Sequence, residues 1–274
     1  MKEAKDRVAA FAKRPSGSEE MPFLDHLEEL RWRIIWSLLA VAIGAVIGWF
    51  LVTRFDVLGL LIEPMRPLLE EGKLAYLSPA DPFIVTLKLT LTTGVLLASP
   101  VVIYQLWIFL SPALLPEEKR AIVPALYFGL LLFMGGMALA YFVALPVMFE
   151  FFAQFQQGSL EQNITIGPYM SVVTRTLLGF GLVFELPVVM LVLAAVGVVD
   201  TTMLKKGRRW AIVIITIVAS FITPGDVVIL TIFLMVPLLL LYELGIWLAR
   251  LVERRRRRRQ EKEEEAQAKT WNGA

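Results

Sequence analysis

Acidic side chains next to apolar segments are the groups in this sequence best suited to binding a ligand. Asp25, Glu28 and Glu29 lie in Phe23-Leu-Asp-His-Leu-Glu-Glu-Leu-Arg31, where apolar residues recur at helical spacing. Carboxylates here suit a ligand that carries positive charge, because hydrogen bonds between charged groups are short and strong. The alternative is an ion pair within the helix between Glu29 and Arg33, one turn later.

A second acidic group follows the aromatic segment Tyr104-Gln-Leu-Trp-Ile-Phe109. Glu117 and Glu118 come directly after Pro116, which favours the first position of a helix. Exposed backbone N–H groups stabilise acidic residues in a first turn, so the helix alone can explain both carboxylates. It does not explain the apolar, aromatic approach to them.

Glu185 is a carboxylate near the middle of a long apolar segment that includes Gly179-Phe-Gly-Leu-Val-Phe-Glu-Leu-Pro187. An ionised carboxylate at the centre of a bilayer costs several kcal/mol, so it should face protein or water, or be protonated. One function it suggests is a proton- or ion-coupled transporter of small solutes with Glu185 as the carrier site. A single acid without a basic partner or an internal repeat gives that alternative little support.

The composition argues against enzymatic and metal-binding functions. The chain has no Cys and one His, which excludes thiolate sites, a Cys nucleophile and any multi-His metal site. The sequence contains no phosphate loop, nucleophile elbow or metal motif. We therefore expect no catalytic residues, no cofactor and no bound metal.

The elements that position these groups are membrane helices. Hydrophobic residues make up 57% of the 274 residues and charged residues 19%, against about a half and a quarter in soluble domains. A helix needs roughly 20 apolar residues to cross the bilayer. Six spans are predicted: Ile34–Val52, Phe83–Leu110, Ala121–Phe149, Tyr169–Val199, Trp210–Ile222 and Val227–Leu248. The predicted fold class is an all-α, polytopic membrane protein with six transmembrane helices, of which the fifth is short.

Several sequence features predict the shapes and contacts of these helices. Gly44 and Gly48, four residues apart, indicate a close helix contact. The external connection 54–82 contains the apolar run Val57–Ile62, predicted to be a short interfacial helix. Prolines within or near the spans predict bent helices that together form a concave face: Pro100, Pro124, Pro146, Pro187 and Pro237.

The distribution of basic residues predicts the orientation. Of the 27 Lys and Arg residues, 22 lie before the first predicted span, in the second and fourth connections, or after the sixth span. By the positive-inside rule, both termini are then cytoplasmic. Residues 1–14 have no apolar core of the kind that a cleavable signal peptide needs, so we expect this segment to be retained.

The predicted division is a cytoplasmic segment 1–21, a membrane domain 22–250 and a cytoplasmic tail 251–274. The six arginines Arg254–Arg259 are expected to bind anionic lipids, at about 1 kcal/mol per basic residue. No aromatic residues are interleaved with them, so nucleic acid is not an expected partner.

Taken in order along residues 22–250, several motifs resemble the TatC family, the multispanning receptor of the twin-arginine protein translocase. The motifs are the segment from Phe23 to Arg31, Ser78-Pro-Ala-Asp-Pro-Phe83, Tyr104-Gln-Leu-Trp107 running to Ser111-Pro-Ala-Leu114, Phe184-Glu-Leu-Pro187 and Ile222-Thr-Pro-Gly-Asp226. The external turn here reads Pro-Gly-Asp where some members have Pro-Pro-Asp.

The resemblance implies a non-enzymatic export component of the bacterial inner membrane. In that family the core binds signal peptides that carry consecutive arginines and recruits single-span subunits, TatA and often TatB. Folded proteins are then moved with the proton motive force. The resemblance also implies a homo-oligomer within a larger complex.

The resemblance assigns roles to particular residues of this chain. Glu29 and Glu118 match the acidic residues of the signal-peptide surface, and Arg31, Phe109 and Leu114 match their neighbours. Glu185 matches the intramembrane polar group, expected to contact a partner helix, and Asp226 matches the acid of the last external turn.

Overall fold

The computed structural model describes residues 23–69, 74–110, 122–154, 163–223 and 228–272. Nearly all of these residues are helical. The helices are α1 (Phe23–Arg54), α2 (Val57–Ile62), α3 (Asp81–Leu110), α4 (Ile122–Leu139), α5 (Leu145–Gln154), α6 (Ile166–Phe184), α7 (Leu186–Val196), α8 (Thr201–Lys206), α9 (Arg208–Ile222) and α10 (Val228–Asn272). The 3₁₀ helix Glu63–Leu68 follows α2, and the π-helical turn Ala140–Ala144 joins α4 to α5.

The all-α membrane class predicted from the sequence is confirmed. Within the described ranges, five helical segments are long and apolar enough to cross a membrane: Leu27–Arg54, Asp81–Phe109, Tyr127–Gln154, Ile166–Ala195 and Leu234–Arg254. The fifth predicted span corresponds to α9, whose 15 residues extend only about 22 Å at 1.5 Å per residue. The count of six spans stays a prediction.

Helices α1 and α3 cross so closely that glycine is needed on both. A Cβ atom added at Gly94 would lie 2.6 Å from the Cα atom of Ala45, and one added at Gly44 would lie 2.5 Å from the carbonyl oxygen of Gly94. A Cβ atom at Gly48 would lie 2.8 Å from the carbonyl oxygen of Thr90. The helix contact predicted from Gly44 and Gly48 is therefore present, and its partner surface on α3 is centred on Gly94.

Proline alters the third predicted span at the start of α5. Pro146 has no N–H to donate, and its ring crowds the carbonyl group four residues earlier. The helix passes through the π-helical turn Ala140–Ala144 at this point, and the N–H of Leu145 donates to the carbonyl oxygen of Ala140, five residues back. The wider turn continues the span across the proline.

The fourth predicted span is divided at Glu185, two residues before Pro187. The N–H of Glu185 donates to the carbonyl oxygen of Leu182 at 3.2 Å, which tightens the end of α6. Helix α7 begins at the next residue, with Pro187 in its first turn, where a missing N–H costs least. Glu185 therefore lies between two helices and not inside a continuous one.

The main core is formed by α3, α5, α6, α9 and α10. Its completely buried side chains include Leu89, Leu145, Met170, Val173, Phe180 and Leu238. The predicted short helix is confirmed as α2, and two tyrosines hold its C-terminal end against this core. The hydroxyl of Tyr141 donates to the carbonyl oxygen of Leu60 at 2.6 Å, and that of Tyr169 donates to Leu61 at 2.7 Å.

The connection between α7 and α9 is tied to α10 by side-chain contacts. The hydroxyl of Thr201 donates to a Glu253 carboxylate oxygen at 2.5 Å, and Arg208 pairs with Glu243 at 2.8 Å. Helix α10 continues to Asn272, well past the predicted end of the sixth span at Leu248. The predicted boundary between the membrane domain and the tail, at residues 250 and 251, therefore falls inside a continuous helix.

Candidate functional site

Glu29 lies in the second turn of α1 and forms the ion pair that its spacing permits. One Glu29 carboxylate oxygen, Oε1, accepts a hydrogen bond from Arg33 Nη2 at 2.8 Å. The other terminal nitrogen of Arg33, Nη1, donates to the side-chain oxygen of Gln105 on α3 at 3.2 Å. The intrahelical alternative is thus correct for this state of the molecule, and the pair is additionally linked to a second helix.

This pair is largely removed from water without being fully satisfied. The side chains of Arg33 and Glu29 are 27% and 19% exposed. Glu29 Oε2 and Arg33 Nε are both buried and have no hydrogen-bond partner among the described residues. An exposed ion pair contributes about 0–1 kcal/mol, but charges withdrawn from water interact more strongly. The partly dry environment that a guanidinium site needs is therefore present at Glu29.

The residues predicted to surround Glu29 differ in their placement. Arg31 is exposed on α1, and Phe109 is half-buried near the end of α3. Trp107, in the aromatic segment that precedes the second acidic group, is buried against Val188 and Val192 of α7. Its observed role is to join α3 to α7. Leu114, Glu118 and Asp226 lie outside the described residues.

Glu185 is a half-buried carboxylate between α6 and α7, three residues before Val188, which packs with Ile103 and Trp107 in an apolar cluster. Its Oε1 atom is buried and has no hydrogen-bond partner within the described part of the chain. A Cβ atom added at Gly129 on α4 would lie 2.9 Å from Glu185 Oε2. The carboxylate therefore rests against the bare backbone of α4, with one oxygen still able to accept a hydrogen bond.

Two residues at these sites carry no clear signal in the sequence. Gln105 belongs to the quoted Tyr104-Gln-Leu-Trp107 segment, but its contact with Arg33 joins residues 72 positions apart and needs the register of α1 on α3. Gly129 gives room to Glu185, and nothing near it in sequence distinguishes it from neighbouring glycines. Helical spacing predicts the Glu29–Arg33 pair, whereas these two contacts depend on packing.

Comparison with known proteins agrees with the fold. The family profile described as Sec-independent protein translocase protein (TatC) matches residues 25–237. The Sec-independent protein translocase protein TatC of Carboxydothermus hydrogenoformans is 36% identical over 233 residues, covering 85% of this chain and 94% of that protein. The protein of the same name from Aquifex aeolicus is 38% identical over 237 residues, covering 86% and 97%.

A solved structure shows the same architecture. The crystal structure of the twin arginine translocase receptor TatC superimposes with a TM-score of 0.74 at 37% identity and covers 83% of this chain and 99% of that one. The family profile spans well over half of the sequence and includes α1, α3 and the helices on either side of Glu185. The chain belongs to the TatC family, the non-enzymatic, multi-pass components of the Sec-independent protein translocase in the bacterial inner membrane.

Proposed function

We propose that this chain is the receptor that binds twin-arginine signal peptides at the cytoplasmic ends of α1 and α3. The observation that carries the proposal is the half-buried Glu29 carboxylate, which already binds one guanidinium group, that of Arg33. A planar guanidinium offers paired N–H donors that match the two oxygens of a carboxylate, whereas an ammonium group is a point charge. The site therefore has the chemistry to prefer arginine over lysine.

The remaining residues of the proposed surface come from the family resemblance. Glu118 would bind the second arginine, Arg31 and Phe109 would line the approach, and Leu114 would contact the apolar part of the peptide. These roles require both termini of the six-span protein to be cytoplasmic, as the positive-inside rule predicts. Asp226 would then lie in an external turn, away from the recognition surface.

The test of this proposal compares two fusions that differ only at the arginine pair. The full chain is co-purified with a folded reporter carrying an Arg-Arg signal and, separately, with its Lys-Lys version. We expect at least about a fivefold loss of recovered reporter with Lys-Lys, because the bidentate contact is replaced by a point charge. Equal recovery of the two fusions, with both at wild-type expression, would contradict arginine recognition.

We also propose that Glu185 contacts the membrane helix of a single-span partner of the TatA or TatB type. The Glu185 Oε1 atom is buried without a hydrogen-bond partner in the described part of the chain, and a side chain of a partner helix could supply one. The alternative function, a small-solute transporter using Glu185, has no support from the family to which the chain belongs.

Glu185→Ala is expected to weaken association with the single-span subunit about threefold to twentyfold. Hydrogen bonds between membrane helices contribute about 0.6–1.7 kcal/mol. Co-purification of the subunit measures this, and Glu185→Gln, which keeps an acceptor of the same size, should associate nearly as well as the unchanged chain. Binding of an Arg-Arg peptide should change less than twofold, and an equal loss of both activities would instead indicate a folding defect.

The terminal segments are assigned by charge alone. We propose that 251–274 remains a cytoplasmic tail in which Arg254–Arg259 bind anionic lipid headgroups, and that 1–21 is a separate cytoplasmic segment. Function as a homo-oligomer within a larger complex completes the proposal.

A further inference from the structure

Three side chains on two helices are connected in series at the proposed arginine site. Gln105 of α3 accepts a hydrogen bond from Arg33 Nη1, and Arg33 Nη2 donates to Glu29 Oε1. The Arg33 guanidinium therefore divides its two terminal nitrogens between a neutral amide and a carboxylate. It does not use them together on Glu29.

The Glu29–Arg33 contact leaves binding capacity unused. A carboxylate has two oxygens, each able to accept two hydrogen bonds, and a guanidinium reaches it best through two parallel bonds. Here a single bond is made, and Glu29 Oε2 is buried with no partner within the described residues. A guanidinium that approaches with both nitrogens would satisfy Glu29 better than Arg33 does.

Arg33 also keeps the empty site neutral. A half-buried carboxylate without a counter-charge is costly, and Arg33 supplies that charge from one turn away on the same helix. When Arg33 leaves Glu29, the amide oxygen of Gln105 is already bonded to its other nitrogen and can retain it. The side chain thus has two partners and can give up one of them.

We propose that Arg33 is the resident occupant of the Glu29 site and limits the affinity of that site for signal peptides, because an incoming cationic side chain must displace it. This inference rests on the proposed function. A ligand arginine recovers the lost contact through two parallel hydrogen bonds, whereas a ligand lysine offers one ammonium group and cannot. Displacing Arg33 costs the same for either ligand, so the competition lowers both affinities, and the preference for arginine over lysine comes from the contact with Glu29 itself.

The test measures the dissociation constants of fluorescent Arg-Arg and Lys-Lys leader peptides with the full chain in lipid nanodiscs. For Arg33→Gln we expect about fivefold tighter binding of both peptides with an unchanged ratio between them, since the contact that competes with either peptide is removed. For Gln105→Met, which leaves the net charge unchanged, we expect about threefold weaker binding, because displaced Arg33 loses its second anchor. In the Arg33→Gln background, Gln105→Met should have no further effect.

Two controls distinguish displacement of Arg33 from simple charge repulsion and from structural support of the site. Removing a positive charge reduces long-range repulsion of a cationic peptide, but that contribution fades at 0.5 M salt, whereas the gain from displacement persists. If Arg33→Gln weakens the binding of both peptides while its thermal stability is unchanged, Arg33 supports the site and does not compete for it. The proposed function has its own test, which does not depend on Arg33. It is wrong if Glu29→Gln binds the Arg-Arg peptide as tightly as the unchanged chain does.

Discussion

Glu29→Gln is expected to lower the affinity for an Arg-Arg leader peptide by about thirtyfold. Glutamine keeps the size of the side chain and one acceptor oxygen but removes the negative charge from a site that is 19% exposed. Removing one partner of a desolvated, hydrogen-bonded charge pair costs about 2 kcal/mol or more, which is roughly a thirtyfold change in affinity. Fluorescence anisotropy with the purified chain in nanodiscs measures the dissociation constant directly.

Glu28 provides the matched control for this substitution. It carries the same carboxylate one residue earlier on α1, but its side chain is exposed to solvent. Glu28→Gln changes the net charge by the same amount, so any general electrostatic attraction of a cationic peptide falls equally in the two variants. We expect Glu28→Gln to bind within about twofold of the unchanged chain, and equal losses for both variants would contradict a specific site at Glu29.

Gly94→Leu is expected to disrupt the packing of α1 on α3. Even the first carbon of the new side chain would lie 2.6 Å from the backbone nitrogen of Ala45, and backbone atoms cannot move aside as a flexible side chain can. Overpacking of this kind costs about 3 kcal/mol, which corresponds to a decrease of roughly 10 °C in melting temperature for a chain of this size. Thermal unfolding of the detergent-solubilised protein measures the loss.

Gly135→Leu is the matched control for Gly94→Leu. A Cβ atom at Gly135 on α4 would meet no heavy atom within 4 Å, so the same substitution there enters open space. We expect the melting temperature of Gly135→Leu to lie within about 2 °C of that of the unchanged chain. Equal melting temperatures for Gly94→Leu and Gly135→Leu would show that the close crossing does not stabilise the fold.

The sequence predicted those features of the fold that depend on local pattern. Apolar length located the long helices, and the run Val57–Ile62 is α2 with the same bounds. Gly44 and Gly48 indicated a tight contact, because small residues one turn apart expose the helix backbone. That Gly94 is their partner could not be predicted, since it depends on the register between two helices far apart in sequence.

The effect of each proline was harder to predict than its position. The helix changes form before Pro146 and is divided before Pro187, but α3 continues through Pro100 and α10 through Pro237. A proline removes one hydrogen bond, and tertiary packing decides whether the helix bends, widens or ends there. The division at Glu185 matters most, because it places that carboxylate at a helix junction.

The candidate site shows the same distinction between local and long-range information. The Glu29–Arg33 ion pair follows from a spacing of four residues on one helix. The connection to Gln105, and the burial that makes the pair energetically significant, arise only when α3 packs beside α1. Sequence alone therefore left the two interpretations of Glu29 open, and the structure favours a site that is occupied internally.

A double-mutant cycle between Glu29 and the leader peptide tests the central claim most directly. The dissociation constants of the unchanged chain and of Glu29→Gln are measured with peptides carrying Arg-Arg, Gln-Arg and Arg-Gln. If Glu29 binds one of these arginines, its substitution and that of the contacted arginine should be coupled by about 1–2 kcal/mol, and the other position should be coupled less. Additive losses at both positions would mean that Glu29 does not contact the arginine pair.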